Sequence, residues 1–159
     1  MAVLQKNHSF TAKLEWTGAA QGPTKDIRTY SREFEIAMAG KTGISGSAAP
    51  GFLGDASRMN PEEMFLAALS GCQMLTYLAL AARANVEVIS YTDECEAMLS
   101  MDDGHWKITK VILRPRIEIL SGEPQTASEL VEKAHAGCFI ARSVNCEVVT
   151  EPEIVPRND

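Results

Sequence analysis

Clusters of lysine and arginine are missing from this chain. Its 15 basic residues are outnumbered by 21 acidic ones, for a net charge of -6, and no aromatics are interleaved among the arginines. That argues against a nucleic-acid partner, which leaves a basic footprint. The opening residues, 1–8, lack the sustained apolar segment of a signal peptide, and a cytoplasmic protein is the expectation. There the four cysteines, Cys72, Cys95, Cys138 and Cys146, are expected to be reduced at rest, so that any disulfide among them is transient and catalytic rather than structural. None of them sits in a CxxC pair, and the three histidines, His8, His105 and His135, are scattered. Structural zinc draws its ligands from closely spaced pairs, so no such site is expected.

What the chain does have is one long apolar stretch, residues 60–84, running from Asn60-Pro61-Glu62-Glu63 through Phe65, Leu69, Cys72, Leu75, Leu78 and Ala82. Asn60 can cap a helix, Pro61 suits the first helical position, and Glu63 can complete a capping box. The helix is apolar on nearly every face, which in a water-soluble protein implies cover on every side. A membrane span needs roughly 20 apolar residues; Ser70, Gly71, Gln73 and Thr76 interrupt this one, so no membrane is expected.

With 159 residues the chain suits one domain, 1–159, with a sizeable core. Residues 8–17 alternate Phe10, Ala12, Leu14 and Trp16 with polar partners, the pattern of a half-buried strand. Residues 30–38 alternate again, and a short strand surrounds Ile44, giving an antiparallel meander. Residues 47–59 form an aperiodic loop that is either a pocket wall or a simple crossover. Residues 86–99 and 105–120 read as long strands joined by a turn at Asp103-Gly104, with a bend or edge at Pro115. A second helix over 126–143, a strand over 144–149 and a tail over 151–159 complete the chain. The order is α+β: antiparallel sheets around a long central helix. One sheet covers only one face, so a second copy is inferred to cover the rest, as an intertwined homodimer. Trp16, Trp106, Met64, Met74 and Met98 are expected in the core, with Met64 and Phe65 near enough to the helix start to line an apolar entrance.

Two cysteines share a local pattern: Ser70-Gly71-Cys72 and Ala136-Gly137-Cys138. A helical glycine costs roughly 1 kcal/mol relative to alanine, and the simplest compensation is close approach of a backbone or small reactant to the thiol. The plain alternative is that both are small core residues. A nucleophilic thiol at mid-helix gains little from the helix dipole and needs a nearby cation; Arg28, Arg32 and Arg58 are the candidates. A buried arginine in turn needs a carboxylate. Glu62 and Glu63 are available, or are ordinary first-turn acids. Cys95 and Cys146 read as structural. His135 either tunes Cys138 or packs near a helix end, and the Gln73 amide bonds either substrate or backbone.

The segments Asn60-Pro61-Glu62-Glu63-Met64-Phe65-Leu66-Ala67-Ala68-Leu69-Ser70-Gly71-Cys72 and Ala134-His135-Ala136-Gly137-Cys138-Phe139-Ile140-Ala141-Arg142-Ser143-Val144 resemble the OsmC/Ohr family of thiol-dependent peroxidases. Tyr30-Ser31-Arg32 and Gly46-Ser47-Ala48-Ala49-Pro50 are similar to its OsmC-like branch. The resemblance implies that Cys72 is the peroxidatic cysteine and Cys138 the resolving one. It also implies a small organic hydroperoxide as substrate, an external dithiol as reductant, and no metal, flavin or haem. Glu62 matches the family's pocket glutamate. Arg32 takes the arginine position, with Arg28 as the alternative.

Glu62 and Cys72 are ten residues apart, roughly 15 Å along a straight helix and on different faces. If Glu62 serves Cys72, it therefore comes from a second subunit. Two other readings stay open: a hot-dog acyl thioesterase, which needs a carboxylate or histidine facing the pocket, and a non-enzymatic ligand carrier or redox-responsive binding protein on the same fold.

Overall fold

A computed structural model of the chain describes residues 7–157, and the expectations about residues 1–6 and 158–159 lie outside it. The chain forms two compact units, 1–63 and 64–159.

The first unit is the expected antiparallel meander. Strands β1 (Lys13–Glu15), β2 (Phe34–Ala37) and β3 (Ile44–Gly46) pair in sequence order, with Leu14, Ile36 and Ile44 in register. The strand expected over 8–17 shrinks to three residues. Ladder partners exist only for Lys13 to Glu15, and Phe10 and Leu14 are 92% and 64% exposed. The loop after β3 folds back on itself: Gly46 bridges to Met59 and the Ser47 amide donates to the Met59 carbonyl at 3.0 Å. Gly54 permits the tight return, because a Cβ there would lie 1.6 Å from the Ala48 oxygen.

Helix α1 (Pro61–Arg83) starts where the sequence places it. The Glu63 amide donates to Asn60 Oδ1 at 2.8 Å and the Asn60 amide to Glu63 Oε2 at 3.0 Å, a reciprocal capping box. It ends with Asn85 in the left-handed region (φ 57°) and the Val86 amide on the Ala81 carbonyl at 2.9 Å, which satisfies the otherwise orphaned last turn. The expectation of cover on every side is not met within one chain. Only Leu69, Gln73, Tyr77 and Ala81 are buried, a single stripe at four-residue spacing. Ala67, Ala68, Leu75, Ala79 and Ala82 are exposed. By length and composition α1 would reach across a membrane; its buried stripe instead packs on sheets and on α2.

The long hairpin read from the sequence is present but bent, so that each strand becomes two. β5 (Glu96–Asp102) and β6 (His105–Leu113) join through Asp103 and Gly104, both with positive φ (49° and 79°), as a two-residue hairpin of this hand requires. β4 (Glu87–Asp93) pairs antiparallel with β7 (Pro115–Ser121) on the other side of the bend. Pro115 has no amide to donate, and Arg114 beside it leaves the ladder. Its amide is taken by Asp93 Oδ1 at 2.7 Å, so no buried donor is stranded.

After β7, helix α2 (Pro124–Gly137) stops six residues short of the expected end at Ser143. Gly137 terminates it, and Cys138 is extended (φ -69°, ψ 118°) before a short 3-10 turn at Ala141–Ser143. The expected last strand is β8 (Glu147–Thr150), and the expected tail holds another strand, β9 (Glu153–Pro156). They run parallel to β6 and β7 respectively. The tail reading missed that Ile154 packs into a core cluster, and that both prolines fall at the strand's margins, where a missing donor costs little. The α+β class stands, with mixed sheets β4-β7-β9 and β5-β6-β8.

Two apolar clusters fill the second unit. Tyr77 and Ala81 pack with Ile117, Ile119 and the buried face of α2, while Leu69 packs with Val111, Leu113 and Cys138. Trp16, Trp106 and Met98, expected in the core, are 40%, 58% and 45% exposed.

Candidate functional site

The second cluster carries the thiols. Cys72 sits on α1 one residue ahead of the buried stripe and is partly buried, whereas Cys138, at the end of α2, is wholly buried. All four cysteines are free. Cys72 and Cys138, 66 residues apart, are within hydrogen-bonding reach of each other. Their acidities are pushed in opposite directions. Burial works against ionisation of Cys72, but the backbone of Ile140, the Cys138 thiol, the backbone of Phe139 and the nearby Thr76 side chain hold it below the ordinary thiol value. For Cys138 burial prevails: with the neighbouring Cys72 it pushes this thiol up, against the amides of Ala141, 3.4 Å from its sulfur, and Ile140. Of the two, Cys72 is the thiol that ionises more readily, and its sulfur is the one placed to accept a hydrogen bond from the Cys138 S–H. The groups that lower Cys72 lie at and just beyond the end of α2 and on α1 itself.

The glycines behave differently from expectation. Gly137 ends a helix rather than interrupting one, and a Cβ on it would meet Thr76 Cγ2 at 3.6 Å, an ordinary contact. Gly71 is mid-helix, and a Cβ there would meet nothing within 4 Å. Neither shows the close backbone approach the pattern suggested. His135 no longer shares a helical face with Cys138, because Cys138 lies past the helix end; its carbonyl instead accepts the Cys138 amide at 3.2 Å.

Arg32 and Glu62 belong to the first unit, where both line a cavity of 250 Å³ with Phe34, Ala48 and Phe52. The two glutamates at the helix start are now distinguished. Glu63 is committed to the capping box, while Glu62 has no hydrogen-bond or ion-pair partner among the described residues. The three candidate arginines separate as well. Arg28 forms an exposed fork on Asp26, at 2.8 Å for its Nη2. Arg58 pairs with Glu33, Glu35 and Asp55 at 3.3, 3.7 and 3.4 Å. Arg32 donates to the carbonyls of Tyr30 (2.9 Å) and Ile27 (2.5 Å) and lies 4.1 Å from the Tyr30 ring centroid. Carbonyls and a ring orient a guanidinium without pairing it to an anion, so of the three Arg32 is the one with no carboxylate partner among the described residues. Glu62 lines the same cavity but forms no ion pair with it among the described residues.

The family model for OsmC-like protein matches residues 54–153, a span that holds both thiols and Glu62. The chain belongs to the OsmC-like protein family. An OsmC-like protein of unknown function from Vibrio cholerae is 35% identical, with a TM-score of 0.86 over 92% of this chain and 100% of the other. Peroxiredoxin OsmC of Escherichia coli is 23% identical over 95 residues, 60% of this chain and 66% of its own length. The organic hydroperoxide resistance protein OhrB of Bacillus subtilis shares the fold, with a TM-score of 0.59 at 22% identity over 91% of this chain and 98% of its own.

In this OsmC-like chain, sequence reasoning missed Thr76, whose hydroxyl donates to the Cys72 carbonyl at 2.8 Å. The signal was present, since a threonine four residues after a helical residue commonly bonds back to it. The backbone donors at Phe139 and Ile140 had no signal, because they depend on where α2 stops. Gln73 turns to backbone, donating to the Val131 carbonyl at 3.1 Å. Cys95 lies at the strand bend, where burial and the Asp93 charge push its thiol up. Cys146 lines a cavity of 560 Å³ with Phe65, Ile108 and Arg142.

Proposed function

We propose that this protein is a cytoplasmic thiol-dependent peroxidase for organic hydroperoxides. The observation that carries the reading is the Cys72–Cys138 contact, with one thiol held toward its anion and the other away from it. The Cys72 thiolate attacks the terminal oxygen of ROOH. The O–O bond breaks, ROH leaves after taking up a proton, and Cys72 becomes a sulfenic acid. The Cys138 sulfur then attacks the Cys72 sulfur and expels water, forming a disulfide. An external dithiol reduces that disulfide by two thiol exchanges and is itself oxidised. Phe65, which packs against the cluster holding both thiols and lines a cavity, favours an alkyl peroxide over hydrogen peroxide.

Arg32 and Glu62 are proposed to orient the peroxide from a second copy of the chain. Support comes from the axial separation of Glu62 and Cys72 along α1, roughly 15 Å, and from the open apolar face of that helix, which a partner would cover. In the test, Cys72→Ser is assayed with cumene hydroperoxide and dihydrolipoamide. Loss of turnover is expected, with a mass-mapped Cys72–Cys138 disulfide after one equivalent of peroxide in the unmodified protein; undiminished turnover in the variant refutes the proposal. Acyl-CoA hydrolysis by the same preparation would favour the thioesterase reading instead.

A further inference from the structure

Gln73 stands beside Cys72 in α1 and is 1% exposed. Its Nε2 donates to the Val131 carbonyl of α2 at 3.1 Å, while its Oε1 is buried with no partner among the described residues. One turn along, the Tyr77 hydroxyl donates to the Ala127 carbonyl at 3.2 Å. Residues 73 and 77 ascend α1 as 131 and 127 descend α2, so the two bonds form a two-rung ladder between antiparallel helices, one rung per turn. Hydrophobic stability does not account for this seam. An apolar side chain of the same size at position 73 would bury no unpaired oxygen.

A ladder supplies what an apolar seam lacks. Contacts among Leu130, Val131, Ala127 and Ala134 are non-directional and tolerate slip of one helix along the other, whereas a donor aimed at one carbonyl does not. The slip matters because Cys138 rides on α2 through the hydrogen bond its amide donates to the His135 carbonyl at 3.2 Å. Gly137 lies against Thr76, one turn along α1 from Cys72. The register of α2 on α1 therefore sets where one sulfur lies relative to the other.

We infer that Gln73, with Tyr77 one turn behind it, is a positioning residue that pins α2 on α1 and thereby holds Cys138 within reach of Cys72 for disulfide formation. The inference rests on reading the two cysteines as a reacting pair, not on the oxidant.

Its test therefore needs no peroxide. The full-length protein, Gln73→Met and Tyr77→Phe are equilibrated in buffers of reduced and oxidised glutathione. Two protein thiols and one oxidised glutathione exchange to one Cys72–Cys138 disulfide and two reduced glutathiones, quantified by mass mapping. The equilibrium constant is expected to fall at least tenfold in Gln73→Met, about 30 mV for a two-electron couple, and roughly threefold in Tyr77→Phe, whose rung lies farther from the sulfurs. A dimedone trap after cumene hydroperoxide should capture more Cys72 sulfenic acid in both variants. A merely structural role lowers melting temperature but leaves this constant alone, so unchanged constants in folded variants overturn the inference. If Gln73→Met does not fold, Tyr77→Phe decides by itself, because it removes one hydroxyl and keeps the ring. An unmodified protein that never forms the disulfide also overturns it. One that forms the disulfide with a normal ladder dependence but never turns over peroxide leaves it standing and removes the peroxidase proposal.

Discussion

Replacing Cys138 by alanine removes one of the groups holding the Cys72 sulfur toward its thiolate. A net hydrogen bond is worth about 1 kcal/mol, with more for a charged acceptor. Here the donor is a weak S–H and the acceptor is only partly buried, so about 1 kcal/mol is the appropriate size. At 1.36 kcal/mol per tenfold, the thiolate fraction below the midpoint should fall roughly fivefold. The reaction rate falls less, because a more basic thiolate is intrinsically a better nucleophile; with a Brønsted coefficient of 0.4–0.5 the net loss is about two- to threefold. The informative quantity is therefore the midpoint of the pH profile. Alkylation of Cys72 by iodoacetamide, followed by peptide mass spectrometry across pH, should show an upward-shifted midpoint in Cys138→Ala. Cys138→Ser, which retains a hydroxyl donor, should lie close to the unmodified protein. A Cys138→Ala profile superimposed on the parent would mean that the backbone at Ile140 and Phe139 alone sets the acidity, and that Cys138 contributes nothing before oxidation.

Asn60→Ala removes half of the capping box and should lower stability by about 1 kcal/mol in urea unfolding, with Glu63→Ala adding less than a second full increment because the two bonds are reciprocal. Burial pushes Tyr77 up to about 12 and Tyr91 higher still, the latter also by the Asp93 charge. A phenol whose folded value is raised stabilises the fold fully below its unfolded value near 10 and loses that contribution as pH climbs through the folded one; phenolate absorbance should accordingly rise together with unfolding between about pH 10 and 12. Leu75 on the open face of α1 is 65% exposed; Leu75→Glu should leave the monomer folded and weaken self-association at least tenfold by sedimentation, whereas unchanged assembly would place the interface elsewhere.

Much of the architecture was legible in the sequence because it rests on local chemistry. Asn60, Pro61 and Glu63 specify a helix start within four residues, Asp103-Gly104 specifies a turn that requires two positive φ values, and Pro115 marks where a ladder must break. These signals act over a few bonds, and the structure places each where it was read. The period-2 alternation around Phe10 misled because alternation reports a face suited to burial, not the presence of a neighbour to bury it. The tail misled in the opposite sense, since Ile154 between two prolines is too short a signal to declare a strand.

For α1, sequence alone determined a capped apolar rod carrying a thiol at its middle, and the order of residues around both cysteines identified the family. Tertiary structure decided the surroundings of the two thiols. The early stop of α2 aims the Ile140 and Phe139 amides at Cys72, and the fold buries Cys138 beside it and hands Gln73 to a backbone carbonyl. Those outcomes depend on where two helices separated by some 40 residues meet, and side-chain spacing along a chain carries no measure of that distance.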